Sequence, residues 1–297
     1  MFLRTTIVAI ICAMVATMKT NEVAVHALSV SRSSKMNKLP TAILFDIDGT
    51  LVDSDPIHYK VFRELLLKED GFNNNEPIDE TFFRKWIAGR SNSLIMKDFF
   101  PQWSIDQREQ WSIAKEARFR EVASKTMNES KMFGLDKLRS WIDSNDIKKA
   151  AVTNAPRLNA EAILKGIHYD TWFTSEYLII GDECEKPKPD PCPYLTACKL
   201  LGDDVDPTEC IVFEDSPSGA RAGVTAGAYV IGILSGQDEA TLQNAGCSMI
   251  INNFDDAKLW KFLDGLVSSS DGKLTTDASS PSMSATDSSS TSSSSTQ

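Results

Sequence analysis

The sequence predicts an α/β fold: a doubly wound parallel sheet of Rossmann-like type, with an α-helical cap domain inserted into it. Three observations carry this. Short strand-like runs at 42–45, 149–152 and 210–213, apolar but for Lys149, each stop at polar, reactive residues, the pattern of strands buried in a parallel sheet. From Gly134 onward such runs alternate with helical segments, which implies a sheet covered on both faces. A block at 58–130, helical in pattern, interrupts that alternation after the first strand and reads as an insert.

The elements follow in order. AILF at 42–45 ends at Asp46, and the turn DIDGT comes next. Asp55-Pro56 reads as an N-cap followed by proline at the first helical position, opening a helix to about Lys68. After the polar loop DGFNNNEP, residues 79–129 read as helical throughout, and Ser104 to Gln107 form a capping-box pattern that starts a long helix. Phe99, Phe100, Trp103 and Trp111 crowd this block at a spacing that suits a bundle core. A helix over 134–144 precedes strand 149–152, which ends in Thr153-Asn154, and Pro156 opens a helix to about Leu164. Strand 178–180 precedes a helix over 191–201, with Asp190-Pro191 as its cap signal. Strand 210–213 stops at Glu214-Asp215, and Ser216-Pro217 opens the next helix. Strands 229–233 and 249–251 and a helix over 255–266 complete the body, with no internal repeat. The sheet-bearing core is thus expected over 39–57 and 131–267, and the cap over 58–130.

The net charge of −10 over 297 residues averages three unlike parts. Residues 1–38 carry +4, residues 268–297 carry −2, and the body between them carries −12. An acidic body argues against nucleic acid as a partner, which would call for a basic stripe. The first part opens MFLR before the apolar stretch Ile7 to Ala16, with Val25-His26-Ala27 as a small-residue cleavage site. It reads as a signal peptide, too short for a comfortable membrane span. The Ser-rich, basic LSVSRSSKMNK that follows resembles a transit peptide, so a plastid or secretory route is expected. The alternative is a start at Met36 and a cytoplasmic product. The last part holds 14 Ser and 5 Thr in 30 residues, too little apolar surface to offset ordering entropy, and is expected to be disordered. Five cysteines follow the leader, without CxxC or zinc-type spacing, which fits reduced thiols.

Three strands end in chemistry: Asp46, Thr153 and Glu214-Asp215. Ligands of open parallel sheets bind at the carboxyl ends of the strands. Asp46, Asp48, Glu214 and Asp215 would converge there, which is very unfavourable without a partner. Mg²⁺, a hard cation that prefers oxygen, answers that need and bridges to phosphate.

FDIDGTLVDSDPIH (45–58), VTNA (152–155), KPDPCPYL (188–195) and VFEDSPSGARAGVTAG (212–227) resemble, in order and spacing, the four motifs of the haloacid-dehalogenase-like hydrolases. The resemblance covers about 40–266, with the insert like the small cap of subclass I, and comes nearest plant sugar-phosphate phosphatases and β-phosphoglucomutase-like proteins. It implies Asp46 as nucleophile, forming an aspartyl-phosphate, and Asp48 as general acid and base. It implies Asp46, Asp215 and the backbone carbonyl of Asp48 as Mg²⁺ ligands, with Glu214 at the metal's edge. Thr153 and Lys188 would stabilise the transferring phosphoryl group, and Asn154 would hold the loop or donate a second hydrogen bond. Lys186 also sits in a Lys-Pro pair; Lys188 is preferred because it keeps the family's distance to Tyr194-Leu195. Arg90, Ser91 and Asn92 follow Gly89 where related caps touch substrate, and His58 follows the first motif on the linker helix, within reach of a leaving group or in a hinge. Ser54 and Asp55 are assigned to the hinge turn.

The expected function is a Mg²⁺-dependent phosphatase acting on small sugar or polyol phosphate monoesters, working as a monomer on a small phosphorylated metabolite, without stable membrane insertion. The alternative is a hexose-phosphate mutase; Thr50 leans towards the phosphatase. Asp48 speaks against a dehalogenase, which needs no leaving-group proton, and against a phosphonate-cleaving enzyme, for which no cap lysine stands out as a Schiff-base candidate. A non-catalytic binding protein on the same fold is the remote alternative.

Overall fold

The computed structural model describes residues 36–271. The leader up to residue 35 and the Ser/Thr-rich stretch from 272 lie outside the described residues, and with them the expectations placed there. Six strands form the sheet: β1 (Ala42–Phe45), β2 (Lys148–Thr153), β3 (Leu178–Ile180), β4 (Cys210–Glu214), β5 (Tyr229–Ile233) and β6 (Met249–Ile251). Their order is β3-β2-β1-β4-β5-β6, and every pairing is parallel. The chain therefore winds outward in both directions from β1, and the switch point lies between β1 and β4.

Ten helices accompany the described sheet. Four follow β1: α1 (Asp55–Leu66), α2 (Glu80–Trp86), α3 (Asn92–Phe99) and α4 (Ile105–Thr126). Six flank the strands: α5 (Leu135–Ser144), α6 (Arg157–Gly166), α7 (Cys192–Leu201), α8 (Pro217–Ala226), α9 (Glu239–Asn244) and α10 (Ala257–Asp271). Alternate strand residues feed two apolar layers, because both sheet faces are covered. Ile43, Phe45, Ala151, Ile211, Phe213 and Ile231 pack with α5, α6 and α10. Ala42, Leu44, Val152, Val212 and Val230 pack with α7 and α8.

The stretch 79–129, expected to be helical throughout with a long helix starting at Ser104, holds three α-helices separated by breaks. Gly89, at φ +71°, breaks the chain after α2. Pro101, which has no N–H to continue the ladder, lies just after α3. The capping box at Ser104 is present, with Ser104 and Gln107 exchanging side-chain and backbone hydrogen bonds. The aromatic crowd forms the cap's own core with Phe62, Leu66 and Phe83, and Phe100 stacks on Trp103 at 4.1 Å. Asp55 is the first residue of α1 rather than its cap. Helix α9, not anticipated from the sequence, is capped by Asp238, which accepts from the Thr241 N–H. The last helix runs to Asp271, past the expected end near 266.

Two chain crossings join cap and core side by side. Val52 bridges Lys131 in antiparallel fashion, Asp53 N–H donates to Ser130 at 2.8 Å, and Met132 N–H donates to Leu51 at 2.9 Å. The second half of α4 leaves the cap's aromatic core: Phe119, Val122 and Ala123 belong to the layer built on the sheet. That packing sets the cap over the carboxyl edge of β1. Among the described residues, no helix is long and apolar enough to cross a membrane.

Candidate active site

The sheet register delivers the chemistry to one edge. Phe45 lies level with Ala151 on one side and Phe213 on the other. Asp46 N–H donates to Phe213 O at 3.0 Å, carrying the ladder one residue past β1. Asp46, Thr153 and Glu214 therefore emerge together. Above them lies a cleft of about 500 Å³ between core and cap, a size ordinary for small-molecule sites.

Lys188 organises the floor. Its Nζ donates to Asp46 Oδ1, Glu214 Oε1 and Val152 O, each at 2.7 Å. All three ammonium protons are thus used, and the side chain is buried. Burial alone would lower the Lys188 pKa, but Asp46 and Glu214 hold it above the usual range. Lys186 is exposed and faces Asp190 at 3.9 Å, so it is Lys188 that the fold brings to Asp46. Asn154 holds the Lys188 backbone at both ends: its Nδ2 donates to Lys188 O at 3.0 Å, and its Oδ1 accepts from Lys188 N–H at 3.1 Å. Of the two roles expected for Asn154, these hydrogen bonds supply loop holding, and the residue also lines the cleft.

Glu214 is fully buried and answered on every side. Oε1 also accepts from Tyr194 Oη at 2.8 Å, and Oε2 accepts from the Ser216 N–H and hydroxyl. Glu214 thus anchors Lys188, and it also belongs to the acid group that could hold a metal. A Cβ at Gly219 would fall 1.6 Å from Glu214 Oε1, and one at Gly49, which has φ +79°, would fall 2.1 Å from Asp215 Oδ2. Both glycines are needed so that backbone can approach a carboxylate closely.

Asp46, Glu214 and Asp215 bring one carboxylate oxygen each within 4.8 Å of one another. Burial, with Glu214 and Asp48 nearby, pushes the Asp46 carboxyl up to about 8 in spite of Lys188. Burial, Asp46 and Glu214 likewise hold Asp215 well above the usual carboxylate range. One ammonium does not balance three acids. An all-oxygen donor set with a charge deficit fits a hard divalent cation, and such an ion would return Asp46 and Asp215 to their ionised forms.

Asp48 stands apart from that group. Its Oδ1 accepts from Ser54 Oγ at 2.7 Å and lies 3.7 Å from His58 Nε2. Burial opposes ionisation of Asp48, but His58 and Ser54 outweigh it and hold the carboxyl below its ordinary value. For a metal, the resemblance names the backbone carbonyl of Asp48 rather than this carboxylate. His58 stacks on Phe119 at 4.2 Å, and its Nδ1 meets Lys115 Nζ at 3.0 Å.

Lys115 was missed by sequence reasoning, as were Glu116 and Asn159. Lys115 is buried on α4 and contacts Glu116 Oε1 at 2.9 Å. Glu116 also accepts from Asn92 of the cap and from Asn159 of α6. The statement that no cap lysine stands out is corrected: Lys115 lines the cleft. Arg90, Ser91 and Asn92 line it too, although Arg90 already pairs with Asp98 and donates to Trp86 O at 2.8 Å. Thr153 is buried at the end of β2, and its Oγ1 accepts from the Ala155 N–H at 2.9 Å. Thr50 is fully buried outside the cleft wall, and nothing in the structure explains its unpartnered hydroxyl.

A family model described as haloacid dehalogenase-like hydrolase matches residues 40–227. The bifunctional riboflavin kinase/FMN phosphatase of Arabidopsis thaliana is 27% identical over 239 residues, which are 78% of this chain. The chain spans only 58% of that relative's length. The validoxylamine A 7'-phosphate phosphatase of Streptomyces hygroscopicus subsp. limoneus is 29% identical, over 68% of this chain and 89% of the relative. A solved family IA, variant 3 hydrolase from Entamoeba histolytica superposes with a TM-score of 0.64 at 28% identity, covering 76% of this chain and 99% of its own.

Proposed function

The chain belongs to the haloacid dehalogenase-like hydrolases, and on that premise we propose that it is a Mg²⁺-dependent phosphatase of small sugar or polyol phosphate monoesters. The observation that carries the reading is the pairing of Asp46 with Lys188 below a polar, capped cleft that also holds a second acid, Asp48. The names of relatives such as the validoxylamine phosphatase support the reaction class. The basic leader supports delivery to a plastid or into the secretory route.

Mg²⁺, held by Asp46, Asp215 and the Asp48 carbonyl, would supply charge neutralisation for the transferring phosphoryl group. The chain's own groups do the rest. An Asp46 carboxylate oxygen attacks phosphorus, and the bond from phosphorus to the ester oxygen breaks. Asp48, which must carry a proton in the substrate complex although His58 and Ser54 favour its ionised form in the free protein, gives that proton to the departing oxygen; the same two groups hold its carboxyl in place for the transfer. Lys188 and Thr153 face the phosphoryl oxygens as charge spreads onto them. Water then attacks the aspartyl-phosphate, Asp48 takes its proton, phosphate leaves and Asp46 is restored. Water must reach the phosphorus for this, whereas a mutase returns the phosphoryl group to a sugar hydroxyl.

The test is a phosphate-release screen over sugar, polyol and nucleotide monophosphates with Mg²⁺. Release is expected for sugar or polyol esters, and Asp46→Asn should abolish it, by on the order of a thousandfold or more, with the unfolding midpoint retained. Isomerised sugar phosphate without phosphate release would transfer the reading to the mutase. Substantial release by Asp46→Asn would remove Asp46 as the nucleophile.

A further inference from the structure

Seven carboxylates and three cationic side chains line the cleft. Lys188 is committed to Asp46 and Glu214. The other two cations belong to the cap, and each is already neutralised there. Arg90 pairs with Asp98. Lys115, only 3% exposed, pairs with Glu116 at 2.9 Å. Asn92 and Asn159 complete the ring around Glu116. The rim adds Asp53, Asp55 and Asp182. The wall opposite the phosphoryl site is therefore rich in hydrogen-bonding groups but offers no free positive charge.

We infer that this cap wall selects phosphate esters whose remaining part is uncharged and hydroxyl-bearing, with Glu116 as the specificity-determining residue because it neutralises Lys115. This rests on the phosphatase reading above. A second phosphate group carries close to two negative charges at neutral pH. Against this wall it must displace a carboxylate from its cation or sit beside the rim acids, and like-charge contact of that kind is strongly discriminating. A hydroxyl meets no such conflict. Glu116 uses three of about four acceptor positions, which leaves one for a sugar or polyol hydroxyl. The same wall disfavours a mutase cycle, since returning a phosphoryl group to a sugar monophosphate passes through a bisphosphate.

The test compares glucitol 6-phosphate with fructose 1,6-bisphosphate, by phosphate release from the wild type and by calorimetric binding to Asp46→Asn. The wild type is expected to favour the monophosphate by about tenfold or more in kcat/KM. Glu116→Gln frees Lys115 and should shrink that preference about tenfold, chiefly through KM for the bisphosphate. Asp98→Asn, at an exposed position, should shift the preference the same way through Arg90, and covers the case in which Glu116→Gln folds poorly. Equal or better turnover of the bisphosphate by the wild type, or an unchanged preference in the folded variants, overturns the inference. Absence of phosphate release from every ester overturns the phosphatase reading instead. The binding comparison then decides the inference: tighter binding of the bisphosphate overturns it, and tighter binding of the monophosphate supports it.

Discussion

On the core side of the cleft, three carboxylates converge within 4.8 Å, and the single ammonium of Lys188 answers them. On the cap side, Lys115 has Glu116 and Arg90 has Asp98. The core wall is thus incomplete without an added cation and suited to an anionic group held by it. The cap wall is complete as it stands and suited to a neutral remainder. A phosphate monoester is a molecule with those two ends. The difference teaches that carboxylates in one cleft act according to their partners: Glu116 has a lysine to itself, whereas Asp46 and Glu214 share Lys188 and Asp215 has no ion-pair partner among the described residues.

The largest way to break this contrast is Lys188→Met. It strips the buried Glu214 and Asp46 of their shared cation, and breaking a buried pair in this way costs about 3–5 kcal/mol. Urea unfolding should show that loss, together with collapse of phosphatase activity. Lys186→Met, at a surface pair, should change stability by about 0.5 kcal/mol or less. Equal effects of the two would refute the central place given to Lys188.

pH sharpens the contrast, because the two walls have opposite signs. Asp46 is raised from 3.8 to about 8, so the folded state binds its proton more tightly than the unfolded chain. Without Mg²⁺, its contribution to stability is greatest below pH 3.8 and is lost as pH rises towards about 8. Burial opposes ionisation of Glu116, but Lys115 and Asn92 hold it below its ordinary 4.5. Its contribution is therefore present above pH 4.5 and lost as pH falls through the lower folded value. In thermal unfolding, the gain from added Mg²⁺ should be larger at pH 8 than at pH 5, and Asp46→Asn should flatten that dependence. Glu116→Gln should destabilise at pH 7 and approach the wild type in acid. A Mg²⁺ gain independent of pH would contradict the account of the core wall.

The smallest effect expected concerns the cap's own folding. Ser104→Ala removes one half of the capping box on α4 and should cost about 1 kcal/mol, with catalysis otherwise intact. A large loss of activity at unchanged stability would mean that α4 does more than carry Lys115 and Glu116.

The acids of the core wall and Thr153 were legible in the sequence because each sits at the end of a strand or within one residue of it. Asp46, Thr153 and Glu214-Asp215 sit where apolar runs end, and a parallel sheet aligns such ends at one edge. The cap wall was less legible. Lys115 and Glu116 lie in the polar-looking WSIAKEARFREV of α4, and their partners His58 and Asn159 are 57 and 43 residues away. Nothing local marks that turn as buried. The breaks at Gly89 and Pro101 were visible as residues but were passed over within a helical composition. Ser54, assigned to the hinge turn, proved to be the hydrogen-bond donor to Asp48.

From the sequence alone came the fold class, the succession of the six strands and the acids that end them, since backbone periodicity and proline or glycine punctuation act over a few residues. Tertiary structure alone decided which charges are neutralised. Lys188 rather than Lys186 reaches Asp46, Glu214 anchors Lys188, and Lys115 is buried against Glu116. The reason is physical: the cost of a charge depends on its burial and on the partners within a few ångströms, and both arise only when distant segments pack together.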